Sequence, residues 1–289
     1  MHELFSCAPR PELQTYIRAF AQRRTERESP EVVEPMPACL EVIVDFQFGS
    51  RPIAEFGDAS LFKIYEVGVL GPSAYRPINL HLPGGVESFG IFFQPLAFWQ
   101  LFHLPMSLLV NRDYDGYDVL GLEARSLWHK MAETDNFISR VKLAEEYLLG
   151  KVVNSRRNSS IMNAALYMFK SKGVVRVNDV ARHTSLGLRQ FERNFIAEIG
   201  LAPKLYSRVA RFESALDAKI NCKNVRWVDL ACEFGYHDQM HMIRDFQKLS
   251  GLSPEYLLGR LGDIRPPAQT TLAMNMSLSE PSRHSNAKL

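Results

Sequence analysis

Two copies of one unit lie in the second half of the chain, and this repetition narrows what that half can fold into. RNFIAEIGLAPKLY (193–206) can be laid over RDFQKLSGLSPEY (244–256). Arg193 then matches Arg244, Phe195 matches Phe246, Gly200 matches Gly251 and Pro203 matches Pro254, each pair 51 residues apart. Upstream, NDVA (178–181) matches VDLA (228–231) at an offset of 50, so the second unit carries one extra residue between Ala231 and Met242. A longer turn between two fixed helices accounts for that insertion. Each unit reads as a short helix, a turn and a longer helix, which is helix-turn-helix architecture. Two units are too few for a solenoid and point instead to a duplicated supersecondary motif.

The longer helices have two distinct faces. At about 100° per residue, Phe191, Phe195, Ile199 and Leu188 share one side of the first, and Arg189 and Arg193 lie opposite. In the second, Met242 and Phe246 are the apolar anchors, and Met240, Arg244 and Gln247 lie opposite. Arginine suits the acceptor edge of guanine in a major groove, where a bidentate pair discriminates by about 1–3 kcal/mol. A Met240 or Ile243 side chain could meet a thymine methyl, or could simply pack. Asp238 is a helix N-cap candidate, and Gly235 suits a turn that needs positive φ. Ser185 and Gly187 hold the equivalent places in the first unit. PKLYSRVARFESALDAKI (203–220) carries one apolar stripe and starts with proline, where a missing N–H costs nothing. A continuous helix there would hold the units at the spacing of successive major grooves, about 34 Å. Arg208 and Arg211 lie off the stripe as phosphate candidates, with solvated surface as the equal alternative. Gln247 and Lys248 join them as phosphate candidates.

Charge follows the same division. Residues 1–155 hold 14 Lys/Arg against 20 Asp/Glu, whereas residues 156–262 hold 17 against 10. An acidic half joined to a basic half suits a protein whose basic half meets a polyanion. The four cysteines are widely separated and form no C-x-x-C, so neither a disulfide framework nor a zinc knuckle is indicated. No secretory leader and no run of eighteen apolar residues is present, which leads to the expectation of a soluble cytoplasmic protein.

The first half has a different texture. CLEVIVDFQF (39–48) alternates with period two and reads as a strand with at least one buried face. INLHL (78–82) and VESFGIFF (86–93) flank P-G-G and read as a hairpin. The first hundred residues are therefore expected to form a small barrel or sandwich. LAFWQLFHL (96–104), residues 120–131 and residues 136–152 switch to helical spacing. The last two could pair within the chain or across a dimer. The divisions are 1–153, a polar linker NSRRNSS at 154–160, a helical domain at 161–261 with its units at 178–199 and 228–250, and a patternless tail at 262–289, expected to be disordered. The fold class is thus α+β with two domains: an N-terminal β-barrel with helices and an all-α C-terminal domain.

The stretches D-V-A…R-Q-F-E-R-N-F…G-L-A-P and D-L-A-C-E-F-G-Y-H-D-Q-M-H-M-I-R-D-F…G-L-S-P-E-Y resemble the duplicated DNA-binding domain of AraC/XylS-type transcription regulators. The resemblance covers about 161–261. It implies seven helices, the third and sixth entering the major groove, with Arg189, Glu192 and Arg193 base-facing in the first unit. In the second it implies Gln239, Met240, Ile243 and Arg244. Gly187 stands where the family usually has a serine cap, and Met240 and Met242 replace a small residue and an aromatic. MPACLEVIVDF and VLGPSAYRP…GIFFQPLAFWQLFHLP are similar to one subgroup of cupin-like sensor domains, which implies an effector pocket in the barrel and a helical dimer surface.

The main expectation is a sequence-specific DNA-binding regulator, with promoter DNA, a second copy of the chain and RNA polymerase as partners and no membrane. A small-molecule effector, whose binding residues the sequence does not name, stays an open question. One alternative is a DNA-binding dimer whose β domain takes no ligand. Another is an enzyme carrying such a module. Against the enzyme, there is no G-x-S-x-G, P-loop or G-x-G-x-x-G. His81 and Glu87 lack a companion ligand, as do His237 and His241, and a mononuclear site needs about three. No catalytic residue, metal or cofactor is therefore expected.

Overall fold

The computed structural model describes residues 2–74, 78–261 and 282–285 of the 289. The N-terminal part is built on strands β1 (His2–Cys7), β2 (Ile17–Thr25), β3 (Val32–Met36), β4 (Ile43–Gln47), β5 (Ile53–Phe56), β6 (Leu61–Lys63), β7 (Val67–Leu70), β8 (Ile78–Leu82) and β9 (Glu87–Phe93). Helices α1 (Ala97–Phe102) and α2 (Met106–Leu109) follow, then β10 (Asp113–Asp115), α3 (Gly116–Leu120), α4 (Leu122–Ala132) and α5 (Phe137–Val152). The C-terminal part is helical throughout: α6 (Ser160–Lys170), α7 (Val177–His183), α8 (Leu188–Ile199), α9 (Pro203–Asn221), α10 (Trp227–Glu233), α11 (Gln239–Ser250) and α12 (Pro254–Leu261). The expected tail lies outside the described residues, except that β11 (Ser282–Ser285) pairs antiparallel with β1.

The strands form a sheet in the order β10-β7-β4-β9-β2-β1-β11 and a smaller one in the order β3-β8-β5-β6. Strand alternation gives the larger sheet two different faces. Phe20, Phe46, Phe89, Ile91 and Phe93 are buried on one face, where Phe89 meets Phe137 of α5 and Phe93 meets Phe98 of α1. The alternate residues Ile43, Asp45, Gln47, Ser88, Gly90 and Phe92 turn inward toward the smaller sheet.

The expected hairpin at P-G-G does not form. β8 pairs with β3 and β5 in the small sheet, and β9 pairs with β2 and β4 in the large one. The turn passes the chain between sheets, and it is anchored where Gly85 N–H donates to the Glu26 carbonyl at 3.0 Å. A side chain at Gly84 would run into the Arg27 and Ser29 carbonyls, 2.3 and 2.7 Å from the Cβ position.

Helices α4 and α5 pack on each other within the chain, burying Ala124, Leu127 and Met131 against Phe137, Val141, Ala144 and Leu148. Arg140 is 2% exposed and is held by the Met131 carbonyl, Gln22 Oε1 at 3.1 Å and Glu87 Oε1 at 2.7 Å. Such a buried pair holds only while every donor is matched. The segment between α5 and α6 is non-helical but tied down: Arg156 N–H donates to the Gln100 carbonyl at 2.9 Å, and the Gln100 amide bonds Asn158 at 3.0 Å.

Candidate nucleic-acid interface

The two long helices of the duplicated units are α8 and α11, the third and sixth of the seven described C-terminal helices. Their inner faces are closed. Phe191, Phe195 and Ile199 are buried on α8, and Met242, Phe246 and Leu249 on α11. Edge-to-face contacts of Phe246 with Phe212 and Trp227, centroids 4.6 and 5.5 Å apart, fix α11 against α9 and α10. Leu188 departs from the expected inner face. It sits at the first position of α8 and is 39% exposed.

The outer faces are open. Arg189, Glu192 and Arg193 are exposed on α8, as are Gln239, Met240 and Arg244 on α11, with Ile243 half-buried. Among the described residues, Arg189, Arg193 and Arg244 form neither an ion pair nor a side-chain hydrogen bond. Ile196, 48% exposed one turn beyond Glu192, was not singled out from the sequence. The repeat itself carries the signal, since an offset of 51 aligns Ile196 with Gln247.

The two helices start differently. Asp238 caps α11 by accepting the His241 N–H at 2.7 Å. A hydrogen bond from His237 holds its carboxyl below the usual range, with the His241 N–H adding to this. Helix α8 begins at Gly187 with no side-chain cap. Both helices end on a glycine in the left-handed region, Gly200 (φ 83°) and Gly251 (φ 76°). The turns also correspond: Gly235 has φ 65° and its counterpart Ser185 has φ 59°.

Arg208 and Arg211 each have partners within the helical part. Arg208 is half-buried and its Nη2 donates to Asp245 Oδ1 of α11 at 2.8 Å. The two guanidinium nitrogens of Arg211 reach the Gly235 and Gly173 carbonyls at 3.4 and 3.3 Å, over the ring of Tyr236. Both arginines lie between helices, where carbonyls and a carboxylate would otherwise lack donors. They nevertheless line a cleft of about 400 Å³ with Arg176, Lys204 and His241, so their charge adds to a basic surface between the units. Gln247 and Lys248 are exposed.

A second site went unread in the sequence. A cavity of about 220 Å³ lies between the sheets, lined by Asp45, Gln47, Gly90, Phe92, Met36 and others. Its wall includes Leu261, the last residue of α12. It contains two paired arginines: Arg18 Nη2 bonds Glu41 Oε2 at 2.8 Å, and Arg23 Nη2 bonds Glu34 Oε2 at 2.8 Å. Burial pushes the Asp45 carboxyl up to about 7, against the opposing pull of Arg23 and of a hydrogen bond from Gln47.

The two halves are joined at the long helices of both duplicated units. Ala38 N–H donates to the Leu249 carbonyl at the end of α11 at 2.8 Å. Leu40 N–H donates to Glu213 of α9 at 3.3 Å, and Arg260 bonds the Val33 carbonyl. At the end of α8, Gly200 packs on α2 so closely that a Cβ would lie 2.7 Å from Ser107 Cα.

Residues 180–260 match the family described as a helix-turn-helix domain, and residues 6–115 match a domain of unknown function, DUF6597. A comparison with curated proteins finds no match. Among solved structures, an apo variant of ToxT from Vibrio cholerae is similar over 84% of this chain and 98% of its own, at 9% identity and TM-score 0.51. Unsaturated fatty acid bound wild-type ToxT is similar over 92% and 97%, at 9% identity and TM-score 0.48. The C-terminal domain of AraT, a response regulator from Geobacillus stearothermophilus, covers 39% of this chain and 95% of its own, at 22% identity and TM-score 0.34. The apo ToxT likeness is one of fold: a β-rich domain followed by a helical one.

Proposed function

We propose that the chain is an AraC-type DNA-binding transcription regulator and not an enzyme, a reading supported by its helix-turn-helix domain. In this reading α8 and α11 enter successive major grooves of one duplex. Arg189, Glu192 and Arg193 face one set of base edges, and Gln239, Met240, Ile243 and Arg244 face the other. Gln247, Lys248 and the basic cleft between the units meet phosphate. The observation that carries this is the placing of Arg193 and Arg244 at one register of a duplicated helix, both exposed and both without an ion-pair partner among the described residues. Replacing Arg244 with alanine should cost about 1–3 kcal/mol of discrimination at the bases it faces, measured by fluorescence anisotropy on promoter DNA. Unchanged sequence preference would refute the assignment.

The cavity between the sheets supports an effector reading. An occupant would touch Leu261, and the β3–β4 segment that lines the cavity also binds Glu213 in the middle of α9 and the end of α11. Occupancy would then bias how the two units are presented, a population shift between two arrangements. Thermal shift against a metabolite panel tests it, since a ligand at about 100 times its Kd stabilises by about 2.7 kcal/mol. A second copy of the chain is proposed to pair through the outer side of α5, where Ile138 remains 40% exposed. Sedimentation of the full chain tests this, and a monomer at micromolar concentration would count against it.

No helix of the described residues is long and apolar enough to cross a membrane.

A further inference from the structure

The cavity has one polar locus that its own walls leave incomplete. Asp45 lies in the middle of the large sheet, with Gly68 opposite it on β7 and Gly90 opposite it on β9. Beyond Gly90 the next residue across the sheet is Ala21. Asp45 is thus flanked across the sheet by small residues, and the position a Cβ would take at Gly90 lies 3.6 Å from Asp45 Oδ1 and 3.0 Å from the Phe92 ring. Two residues along β4 on the same face is Gln47, 3% exposed. Its Nε2 donates to Asp45 Oδ2, which leaves Oε1 buried with no hydrogen-bond partner. A buried acceptor without a donor is destabilising, because its lost hydration is not replaced.

The charges around this locus decide what can fill it. Arg18 is matched by Glu41 and Arg23 by Glu34, so an anion entering the cavity meets no unmatched cation. The five charged lining residues are two arginines and three acids, and Asp45 is the acid in excess. A metal ion is a poor fit, because among the described residues no group of three His, Cys, Asp or Glu is placed to bind one. The remainder of the wall is mostly aliphatic and aromatic: Ile43, Ile64, Leu70, Leu80, Phe92 and Leu261.

We infer that the cavity binds a small, mainly apolar organic amine, with its ammonium donating to the Asp45 carboxylate and the Gln47 Oε1 acceptor and its apolar body against Phe92 and Leu261. This rests on the effector reading and specifies the ligand's chemistry. An ammonium supplies the donors both acceptors lack and balances the extra carboxylate. The cavity volume of about 220 Å³ suits a small ligand.

The test uses the full chain and three probes of similar shape: phenethylamine, phenylpropanol and phenylpropionate. Each is titrated calorimetrically at about pH 8, where an Asp45 with its pKa near 7 is ionised. The expected result is that the amine binds at least about tenfold more tightly than the alcohol, and that the carboxylate does not bind. Asp45→Asn should abolish the amine's advantage, and Gly90→Ala, whose Cβ would press on the Phe92 ring at 3.0 Å and stand 3.6 Å from Oδ1 without removing the charge, should weaken it. Asp45→Asn takes a charge out of an apolar interior, so the variant should fold, and its unchanged affinity for promoter DNA would confirm this. Equal binding of the alcohol or the carboxylate would overturn the amine assignment and leave the effector reading standing. If none of the three bound to a folded, DNA-competent chain, the amine assignment would be overturned, and the effector reading would be overturned with it only if the metabolite panel also gave no thermal shift.

Discussion

Arg208 on the long helix α9 and Asp245 on the second recognition helix α11 are joined by a hydrogen-bonded ion pair of 2.8 Å, with the carboxylate side chain only 5% exposed. The pair ties α11 to α9 beside the contact of Phe246 with Phe212. Arg208→Met should leave the buried carboxylate without its cation. Removing one partner of a fully buried pair costs about 3–5 kcal/mol, and the 28% exposure of Arg208 lowers this to about 2 kcal/mol. Urea unfolding of the full chain measures it. A change below about 0.5 kcal/mol, within the range of ordinary surface substitutions, would show that the pair does not hold α11.

The two turns should respond oppositely to substitution. Ser185 occupies the left-handed region at φ 59°, where its glycine counterpart Gly235 has φ 65°. Ser185→Gly relieves this backbone and should stabilise by about 0.5–1 kcal/mol. Gly235→Ala should destabilise by at least about 1 kcal/mol, since the new Cβ would also lie 3.0 Å from Val174 Cγ1. Thermal denaturation of both variants checks the pair, and destabilisation by Ser185→Gly would contradict the turn assignment.

Asp45 gives stability a pH dependence of definite sign. Its carboxyl titrates near 7 when folded and near the ordinary 3.8 when unfolded. Between those values the folded state binds the extra proton, so stability falls as pH rises from about 4 to about 7. Arg23 with Glu34 and Arg18 with Glu41 are the charged pairs that surround it. Asp45→Asn should flatten the melting temperature between about pH 5 and pH 8. A wild-type curve that rises over that range, with the variant parallel to it, would contradict the burial of this group.

Lys248 is exposed on α11 and is assigned to phosphate. Lys248→Ala should weaken binding to all sequences alike and reduce the salt slope of log K by about 0.9. A loss confined to one base position would move it to the base-reading set.

The recognition units were legible because their evidence is local and repeated. Phe195 with Phe246 and Arg193 with Arg244 state one helix twice, and the spacing alone assigns the faces. The cavity was not legible for the converse reason. Alternation along CLEVIVDFQF identifies Val44 and Phe46 as buried, which leaves Asp45 and Gln47 looking solvated. They are enclosed by β3, β5 and β8, and nothing within five residues announces a second sheet. The P-G-G turn misled in the same way, since a turn signal says that the chain reverses but not which sheet receives it. Arg208 and Arg211 lay off the apolar stripe, yet their partners, Asp245 and Gly235, stand 37 and 24 residues away.

Selection from a random DNA pool with the wild-type chain, Arg193→Ala and Arg244→Ala tests the twofold reading most directly. The wild-type should select two short elements centred about 10–10.5 base pairs apart. Each variant should lose preference within one element only, by about 1–3 kcal/mol or roughly 5- to 150-fold at the affected bases. If both variants kept both preferences, or if each lowered affinity evenly over every sequence, the two arginines would not be reading bases and the account would fail.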